Sequence, residues 1–353
     1  MQKKLMNYVS IFMVIYAFTT ITLMVSYGVD QELIYFDERF SEEGLVMGMS
    51  LDTLFSMRQD IEVQTFQSGT MGLSIPIDDL VQESKIHVEN DYINQRMIIK
   101  LEGNYQDFYE KQTIQDSGDF IHQAHLFTSE EYTYLVLSMN SLKEHVISYK
   151  SRILSIKFYD PKELYDQIIV IDPVFGGEEE GYVVEEVLEK EIALEVSLLL
   201  KDRLSTTDYK VYYTRTMDDT VSQEARIRLI RESMADFVIR IGVGFEEEEQ
   251  LYGTTAVYHD NYFIPEFDSV QLSNIIIRNI SFKTGTQVLG LQKASEVGDQ
   301  VVMDSNTPIA TINVGCISNP LEREMLKDQR YRNQIASGIM VGITEAFQIL
   351  EEE

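Results

Sequence analysis

The sequence predicts an α/β layer domain with a mostly parallel sheet, preceded by a small β-rich domain and an N-terminal transmembrane helix. This prediction rests on an uncharged apolar run at the start of the chain, on short alternating runs in its middle, and on strands that alternate with helices after residue 166. With 353 residues and 44% hydrophobic content, the chain is long enough for two packed domains and an anchor.

The N-terminal segment, residues 1–29, is predicted to be a membrane anchor. Residues 5–29 carry no formal charge, and about 20 apolar residues cross a bilayer as a helix. Lys3 and Lys4 favour a cytoplasmic N-terminus, which would export the rest of the chain. A cleaved signal peptide is the alternative, although no small-x-small cleavage site follows the run. We therefore expect a single-pass protein of the cell membrane with its C-terminal domains outside the cytoplasm, joined to the anchor by a juxtamembrane spacer, residues 30–70.

The charge of the chain restricts its partners. There are 58 acidic and 29 basic residues, for a net charge of −29. Nucleic acid is excluded as a partner because neutralising phosphates needs clustered Lys and Arg. The single cysteine, Cys316, excludes an intrachain disulfide, and it is expected to be a small buried residue. The five histidines are few for a metalloenzyme: His87, His122, His125, His145 and His259.

Residues 71–160 are predicted to form the small β-rich domain. Apolar and polar residues alternate with a period of two over residues 72–77, 85–89, 95–102, 132–139 and 153–158. His122 and His125 are expected in a loop, where two solvated histidines are favoured over a metal pair. Pro161 and a change of pattern mark the end of this domain.

Residues 166–353 are predicted to form the α/β domain, since strand and helix periods alternate along them. The predicted strands are residues 167–172, 209–214, 237–241 and 310–314. The predicted helices are residues 183–204, 222–234, 268–283 and 321–350.

Five ordered motifs in this domain resemble those of the zinc-dependent N-acetylmuramoyl-L-alanine amidases of peptidoglycan, a family with an open αβα fold. They are residues 169–177 (IVIDPVFGG), 189–195 (EKEIALE), 213–226 (YTR followed by VSQEAR), 235–242 (ADFVIRIG) and 308–320 (PIATINVGCISNP). The resemblance covers about half of the chain. The preceding β-rich domain is loosely similar to the small β modules found before such amidases.

The resemblance also implies that the catalytic residues have been replaced. In the family, two histidines and a glutamate hold zinc, and a second glutamate is the general base. Phe175 and Gly242 stand at the histidine positions, Glu189 is the one surviving ligand, and Asn313 stands at the general-base position. A catalytic zinc site needs three protein ligands, so we expect no bound zinc, no other cofactor and no catalytic residue. The remnant cleft would consist of Phe175, Gly176, Gly177, Glu189, Gly242 and Asn313.

Most of these positions also have a purely structural interpretation. An acid such as Glu189 is favoured at a helix N-terminus by the helix dipole, and Gly176 and Gly177 can be required by a backbone turn. His259 is expected on the surface rather than as a relocated ligand.

Three functions follow as hypotheses. The first is a membrane-anchored pseudoenzyme that binds a peptidoglycan fragment or a cell-wall or division protein, such as an active hydrolase, without hydrolysis. The second is an active amidase that cleaves the lactyl-amide bond of peptidoglycan. In the third, the β-rich domain is a sensor or scaffold and the α/β domain is a structural platform, since a fold alone does not assign a function.

Overall fold

The computed structural model describes residues 59–65, 72–248, 250–260 and 267–352. The predicted anchor, residues 1–29, lies outside the described residues, as does most of the predicted spacer. Within the described part of the chain, no helix is both long enough and apolar enough to cross a membrane.

The first domain consists of two five-stranded sheets that share one apolar core. Its elements are β1 (Gln59–Asp60), β2 (Glu62–Thr65), β3 (Gly72–Pro76), a 3₁₀ helix (Glu83–Lys85), β4 (Ile86–Asp91), β5 (Arg96–Glu102), α1 (Gln106–Tyr109), β6 (Thr113–Asp116), β7 (Ile121–Thr128), β8 (Tyr132–Met139), β9 (Glu144–Lys150) and β10 (Ile153–Tyr159). One sheet has the order β1-β7-β8-β5-β4 and the other β2-β6-β3-β10-β9. The alternation of apolar residues places one face of each sheet in the core.

This domain begins earlier than the sequence predicts. Residues 59–65, which the sequence analysis assigned to the spacer, pair with β7 and β6 as the short strands β1 and β2. Most of their side chains are exposed and polar, so they lack the alternating apolar pattern by which the other strands are recognised.

The second domain is a six-stranded sheet with an apolar core on each face. The elements of this domain are α2 (Pro161–Leu164), β11 (Ile168–Pro173), β12 (Val183–Val184), β13 (Val187–Leu188), α3 (Glu189–Leu204), β14 (Lys210–Tyr213), α4 (Gln223–Glu232), β15 (Phe237–Gly244), β16 (Thr254–Tyr258), α5 (Ser269–Thr284), β17 (Val288–Lys293), α6 (Ala294–Val297), α7 (Gln300–Met303), β18 (Ile309–Cys316), α8 (Pro320–Lys327) and α9 (Gln329–Glu352). The strand order of the sheet is β14-β11-β15-β18-β16-β17, and all pairs are parallel except β16 with β18. The α/β architecture predicted from the sequence is confirmed.

Two predicted helices differ from those in the structure. The helix expected over residues 183–204 begins only at Glu189, because β12 and β13 form a hairpin before it. The hairpin turns at Glu185, whose φ of 55° is left-handed and cannot continue a right-handed helix. The helix expected over residues 321–350 is two helices, α8 and α9, separated by Asp328 in an extended conformation.

A buried polar cluster joins the two domains. Glu144 of the first domain accepts hydrogen bonds from the hydroxyl groups of Tyr212 (2.5 Å) and Tyr92 (3.2 Å), and lies 3.2 Å from the ammonium group of Lys210. The side chains of Glu144 and Lys210 are only 5% and 8% exposed. Separating the partners of a buried ion pair costs free energy, because it leaves an uncompensated charge. These contacts therefore fix the two domains against each other.

This junction predicts a pH dependence of stability. Burial, with a smaller contribution from Lys210, lowers the pKa of His145 to about 4. The unfolded chain therefore binds this proton before the folded chain does, and stability falls as the pH is lowered from about 6.5 to about 4. Between pH 7 and pH 4.5, we expect His145→Gln to lose about 2 kcal/mol less unfolding free energy than the unsubstituted protein, measured by urea denaturation. Equal losses would contradict this assignment.

Candidate functional site: a cleft closed around Glu189

The predicted cleft residues meet at the carboxyl ends of β11, β15 and β18. Gly242 and Asn313 are register partners on the adjacent strands β15 and β18. A Cβ built on Gly242 would lie 2.9 Å from Oε1 of Glu189 and 3.3 Å from Oδ1 of Asn313. Phe175 lies in the loop after β11. A Cβ built on Gly181 would lie 2.6 Å from both Phe175 Cδ2 and Glu189 Oε2, which shows that the Phe175 ring is close to the same carboxylate. The structure thus brings together residues from four separate parts of the sequence, namely residues 175–177, Glu189, Gly242 and Asn313.

Glu189 is buried at the first position of α3, and backbone amides occupy both of its carboxylate oxygens. Oε1 accepts a hydrogen bond from the amide of Val243 (2.9 Å), and Oε2 accepts one from the amide of Tyr182 (3.0 Å). The Val243 amide is available because a β-bulge between Gly242 and Gly244 interrupts the pairing of β15 with β18. Burial raises the pKa of Glu189, while these two hydrogen bonds act in the opposite direction. The carboxylate joins two backbone segments.

Asn313 is engaged in a neighbouring polar contact. Its side-chain nitrogen donates a hydrogen bond to Oγ1 of Thr255 on β16 (3.0 Å). An amide side chain does not exchange a proton near neutral pH, so Asn313 can orient a ligand but cannot serve as a general base.

The loop that carries Phe175 is tightly constrained. Phe175 has a φ of 58°, a left-handed conformation that costs about 1–2 kcal/mol for a residue with a Cβ. Its carbonyl oxygen accepts a hydrogen bond from Nη2 of Arg226 (2.7 Å), which holds this conformation. A Cβ on Gly176 would lie 2.3 Å from the carbonyl oxygen of Asp219, and one on Gly177 would lie 2.0 Å from Oγ1 of Thr220. The close approach of the chain therefore requires both glycines.

Beneath this loop lies a buried ion cluster centred on Asp172, the fifth residue of β11. Asp172 forms ion pairs with Arg226 and Arg240, the latter at 2.7 Å, and accepts a hydrogen bond from Thr214 (2.6 Å). The two arginines hold the pKa of its carboxyl well below its usual range, although burial acts in the opposite direction. Arg240 also pairs with Asp299. The cluster fixes the strand end from which the cleft loop departs.

This cluster was not predicted from the sequence. The sequence feature that could have revealed it is the charge of Arg240 inside the apolar strand β15, every residue of which is buried. A buried charge requires a partner, so this arginine predicts an acidic side chain on a neighbouring element. Spacing does not show that Asp172 and Asp299 are those partners, because they lie 68 and 59 residues away.

Comparison with known proteins assigns the family. The N-acetylmuramoyl-L-alanine amidase family model, Amidase_3, matches residues 169–345. The chain belongs to this family. Similar curated relatives include the germination-specific N-acetylmuramoyl-L-alanine amidase of Bacillus subtilis, 29% identical over 199 residues that cover 52% of this chain and 81% of that protein. The probable cell wall amidase LytH of Staphylococcus aureus is 28% identical over 184 residues, covering 51% of this chain and 58% of that protein.

Solved structures of amidases align with the same half of the chain. An N-acetylmuramoyl-L-alanine amidase from Clostridium difficile 630 is 24% identical, with a TM-score of 0.47, and covers 52% of this chain and 97% of that one. The CwlD amidase from Clostridioides difficile, solved in complex with the GerS lipoprotein, is 22% identical, with a TM-score of 0.46, over 52% of this chain and all of that one.

The cleft of this amidase-family chain does not fit a zinc ion. Phe175 and Gly242 carry no donor atom, and the oxygens of Glu189 are directed at backbone amides. Zinc sites use three or four His, Cys or carboxylate ligands. Among the described residues, no group of three or more His, Cys, Asp or Glu side chains could hold a metal.

The remaining histidines and the cysteine of the amidase-family chain do not rebuild the site. His259 is buried rather than on the surface. It follows Tyr258, which pairs with Ala310, so it lies toward the opposite end of β18 from the cleft. His122 and His125 lie on β7 and not in a loop, and His125 is buried 2.9 Å from a carboxylate oxygen of Asp60. β7 extends through both histidine positions because it pairs with β8 from Ile121 to Thr128.

Cys316 is buried at the end of β18, as expected. Burial raises the pKa of its thiol to about 11. The thiol stays protonated at neutral pH and is a poor nucleophile.

The ion cluster beneath the cleft makes a prediction about stability. Asp172→Asn removes the charge that compensates two buried arginines, and we expect a loss of about 3–5 kcal/mol of unfolding free energy in urea denaturation. The matched control is Glu296→Gln, which breaks a surface ion pair with Lys293 and should leave the unfolding midpoint nearly unchanged. If both variants unfold at the same urea concentration, the cluster does not stabilise the fold.

Proposed function

We propose that this protein is a membrane-anchored, extracytoplasmic pseudoenzyme of the amidase family. It binds a peptidoglycan fragment or a cell-wall or division protein, such as an active hydrolase, and releases its ligand unchanged. The observation that carries this proposal is the closed arrangement at Glu189, whose two oxygens bind the amides of Tyr182 and Val243. In the proposed state, the cleft holds no zinc.

The chemistry of amide hydrolysis supports the proposal. Hydrolysis needs an activated water and an acceptor for its proton, and a bound metal supplies the first by lowering the pKa of that water. Phe175 and Gly242 cannot bind a metal, and Asn313 cannot accept the proton. Loss of a general base alone reduces a rate by about 10²–10⁴-fold. Without metal and base, the cleft can bind but has no means of cleaving the bond.

The proposed localisation rests on the sequence of the N-terminus. Lys3 and Lys4 precede an uncharged apolar stretch, residues 5–29, which has the length of a membrane-spanning helix. In the proposed topology, the β-rich and amidase-family domains lie on the outer side of the cell membrane, where peptidoglycan is found.

The charge of the amidase-family domain favours a protein partner over the wall polymer. Residues 166–353 contain 34 acidic and 16 basic residues, so their formal charge is −18. A strongly acidic surface repels other polyanions and attracts basic surfaces. Peptidoglycan stem peptides carry carboxylates, which makes them the less favourable ligand on electrostatic grounds.

An active amidase that cleaves the lactyl-amide bond is the second candidate, and membership of the family is what favours it. A third candidate, in which the β-rich domain binds as a sensor or scaffold, is favoured by the buried junction at Glu144. That junction would let the amidase-family domain serve as a rigid platform for the β-rich domain. Deleting each domain and following localisation in cells separates the third candidate from the first.

Zinc stoichiometry and hydrolysis together test the proposal. After incubation of the full chain with zinc and removal of free metal, elemental analysis should find close to no zinc per chain. Purified peptidoglycan should release no stem peptide with this protein, while an active family member releases it under the same conditions. Glu189→Gln is the matched variant, because it should not alter either result. About one zinc per chain, lost in Glu189→Gln and accompanied by release of stem peptide, would establish the active amidase instead.

A further inference from the structure

Two exposed aromatic side chains stack at the mouth of the closed cleft. The rings of Tyr182 and Phe245 have centroids 5.2 Å apart and planes inclined by 26°. Tyr182 is 49% exposed and Phe245 is 46% exposed. The ring of Phe175, 37% exposed, lies against Gly181, next to Tyr182 in the chain. These three side chains are called the aromatic platform below.

Glu189 fixes the two backbone segments that carry Tyr182 and Phe245. One carboxylate oxygen binds the amide of Tyr182 itself, and the other binds the amide of Val243, two residues before Phe245. The carbonyl oxygen of Tyr182 accepts a second bond from the amide of Glu189 (2.9 Å). The two segments are thus fixed to one buried group, so the platform is ordered before any ligand arrives. Such preorganisation reduces the entropy lost on binding.

Exposed carboxylates flank the aromatic platform along the sequence. Its flanking segments, residues 175–190 and 245–248, contain a single basic residue, Lys190. The ammonium group of Lys190 is bonded to Asp218 (2.8 Å) and to the carbonyl oxygen of Gly177 (2.6 Å). The exposed acids of these segments are Glu178, Glu179, Glu180, Glu185, Glu186, Glu247 and Glu248. Of these, Glu185 is paired with Arg323.

We propose that the aromatic platform is the docking surface for a basic segment of a partner protein, with an aromatic or long apolar side chain of that segment packed on Tyr182 and Phe245. Aromatic residues in a water-accessible patch are the side chains that most often dominate protein interfaces. The flanking glutamates attract Lys and Arg, and the ring faces add cation–π attraction. An acidic wall fragment meets the opposite electrostatics. This inference rests on the proposed function, because it assigns the partner class that the inactive cleft recognises.

Two peptide probes test the docking surface on the full chain. One has the sequence Lys-Arg-Lys-Trp-Lys-Arg-Lys, and the other replaces Trp with Ala at equal charge. In calorimetric titrations at about 0.15 M salt, where long-range charge attraction is screened, we expect the Trp peptide to bind about tenfold more tightly than the Ala peptide. In the double variant Tyr182→Ser with Phe245→Ser, the ratio should fall to about one. The variant Phe282→Ser removes an aromatic side chain that is 82% exposed on α5 and should leave the ratio at about ten.

Glu189→Ala adds a readout of positioning. It removes the acceptor of both backbone amides and leaves every platform side chain in place, so we expect a reduced ratio at an unchanged circular dichroism spectrum. An unchanged ratio in this variant would show that Glu189 does not position the platform.

Equal affinities of the two peptides for the unsubstituted protein would overturn the docking proposal, as would a tenfold ratio that survives in the double serine variant. A soluble disaccharide-peptide fragment of peptidoglycan that binds the unsubstituted protein, but not the double variant, would also overturn it in favour of a glycan surface. Failure of the docking surface and failure of the proposed function give different results. Zinc binding with hydrolysis contradicts the pseudoenzyme, whereas an affinity ratio of one without zinc contradicts only the docking surface.

Discussion

The buried carboxylate of Asp172 is the group on which the geometry of the cleft depends. It sits between Arg226 and Arg240 at the carboxyl end of the sheet, where water cannot compensate the charges. Arg226 extends the same cluster to the carbonyl oxygens of Pro173 and Phe175. An arginine of the ion cluster therefore helps to hold Phe175 in its left-handed conformation. Strain of this kind persists only where the surroundings over-determine the backbone.

The carboxylate of Glu189 lies in the cleft and accepts hydrogen bonds from two backbone amides. A glutamate at the start of a helix that faces the strand ends is well placed to bind a metal when other ligands converge on it. In this chain, Gly242 adds no side chain, and a β-bulge instead presents the amide of Val243. The carboxylate then bonds to two backbone segments and rigidifies the surface around Tyr182 and Phe245.

The sequence predicted the parts of this architecture that have a local signal. The apolar strands at residues 167–172 and 237–241, the helix at residues 222–234 and the alternating runs of the β-rich domain correspond to elements of the structure. The motif resemblance also identified Phe175, Glu189, Gly242 and Asn313, which the structure brings together.

The hairpin before Glu189 was missed because four valine and leucine residues in a helix-compatible spacing obscured the turn at Glu185. The hydrogen bonds of Glu189 could not be predicted from the sequence, because one of the donors, the Val243 amide, is made available by a β-bulge. The aromatic stack was also missed, because Tyr182 and Phe245 are 63 residues apart and no periodicity connects them.

We propose above all that the carboxylate of Glu189 bonds to the backbone and not to a metal. The decisive experiment is a crystal structure of the protein grown with zinc, with anomalous data collected at the zinc absorption edge. We expect no anomalous peak at the coordination distance of about 2 Å from either oxygen of Glu189, and intact hydrogen bonds from Tyr182 and Val243. A peak at that distance, with the amides displaced, would contradict it.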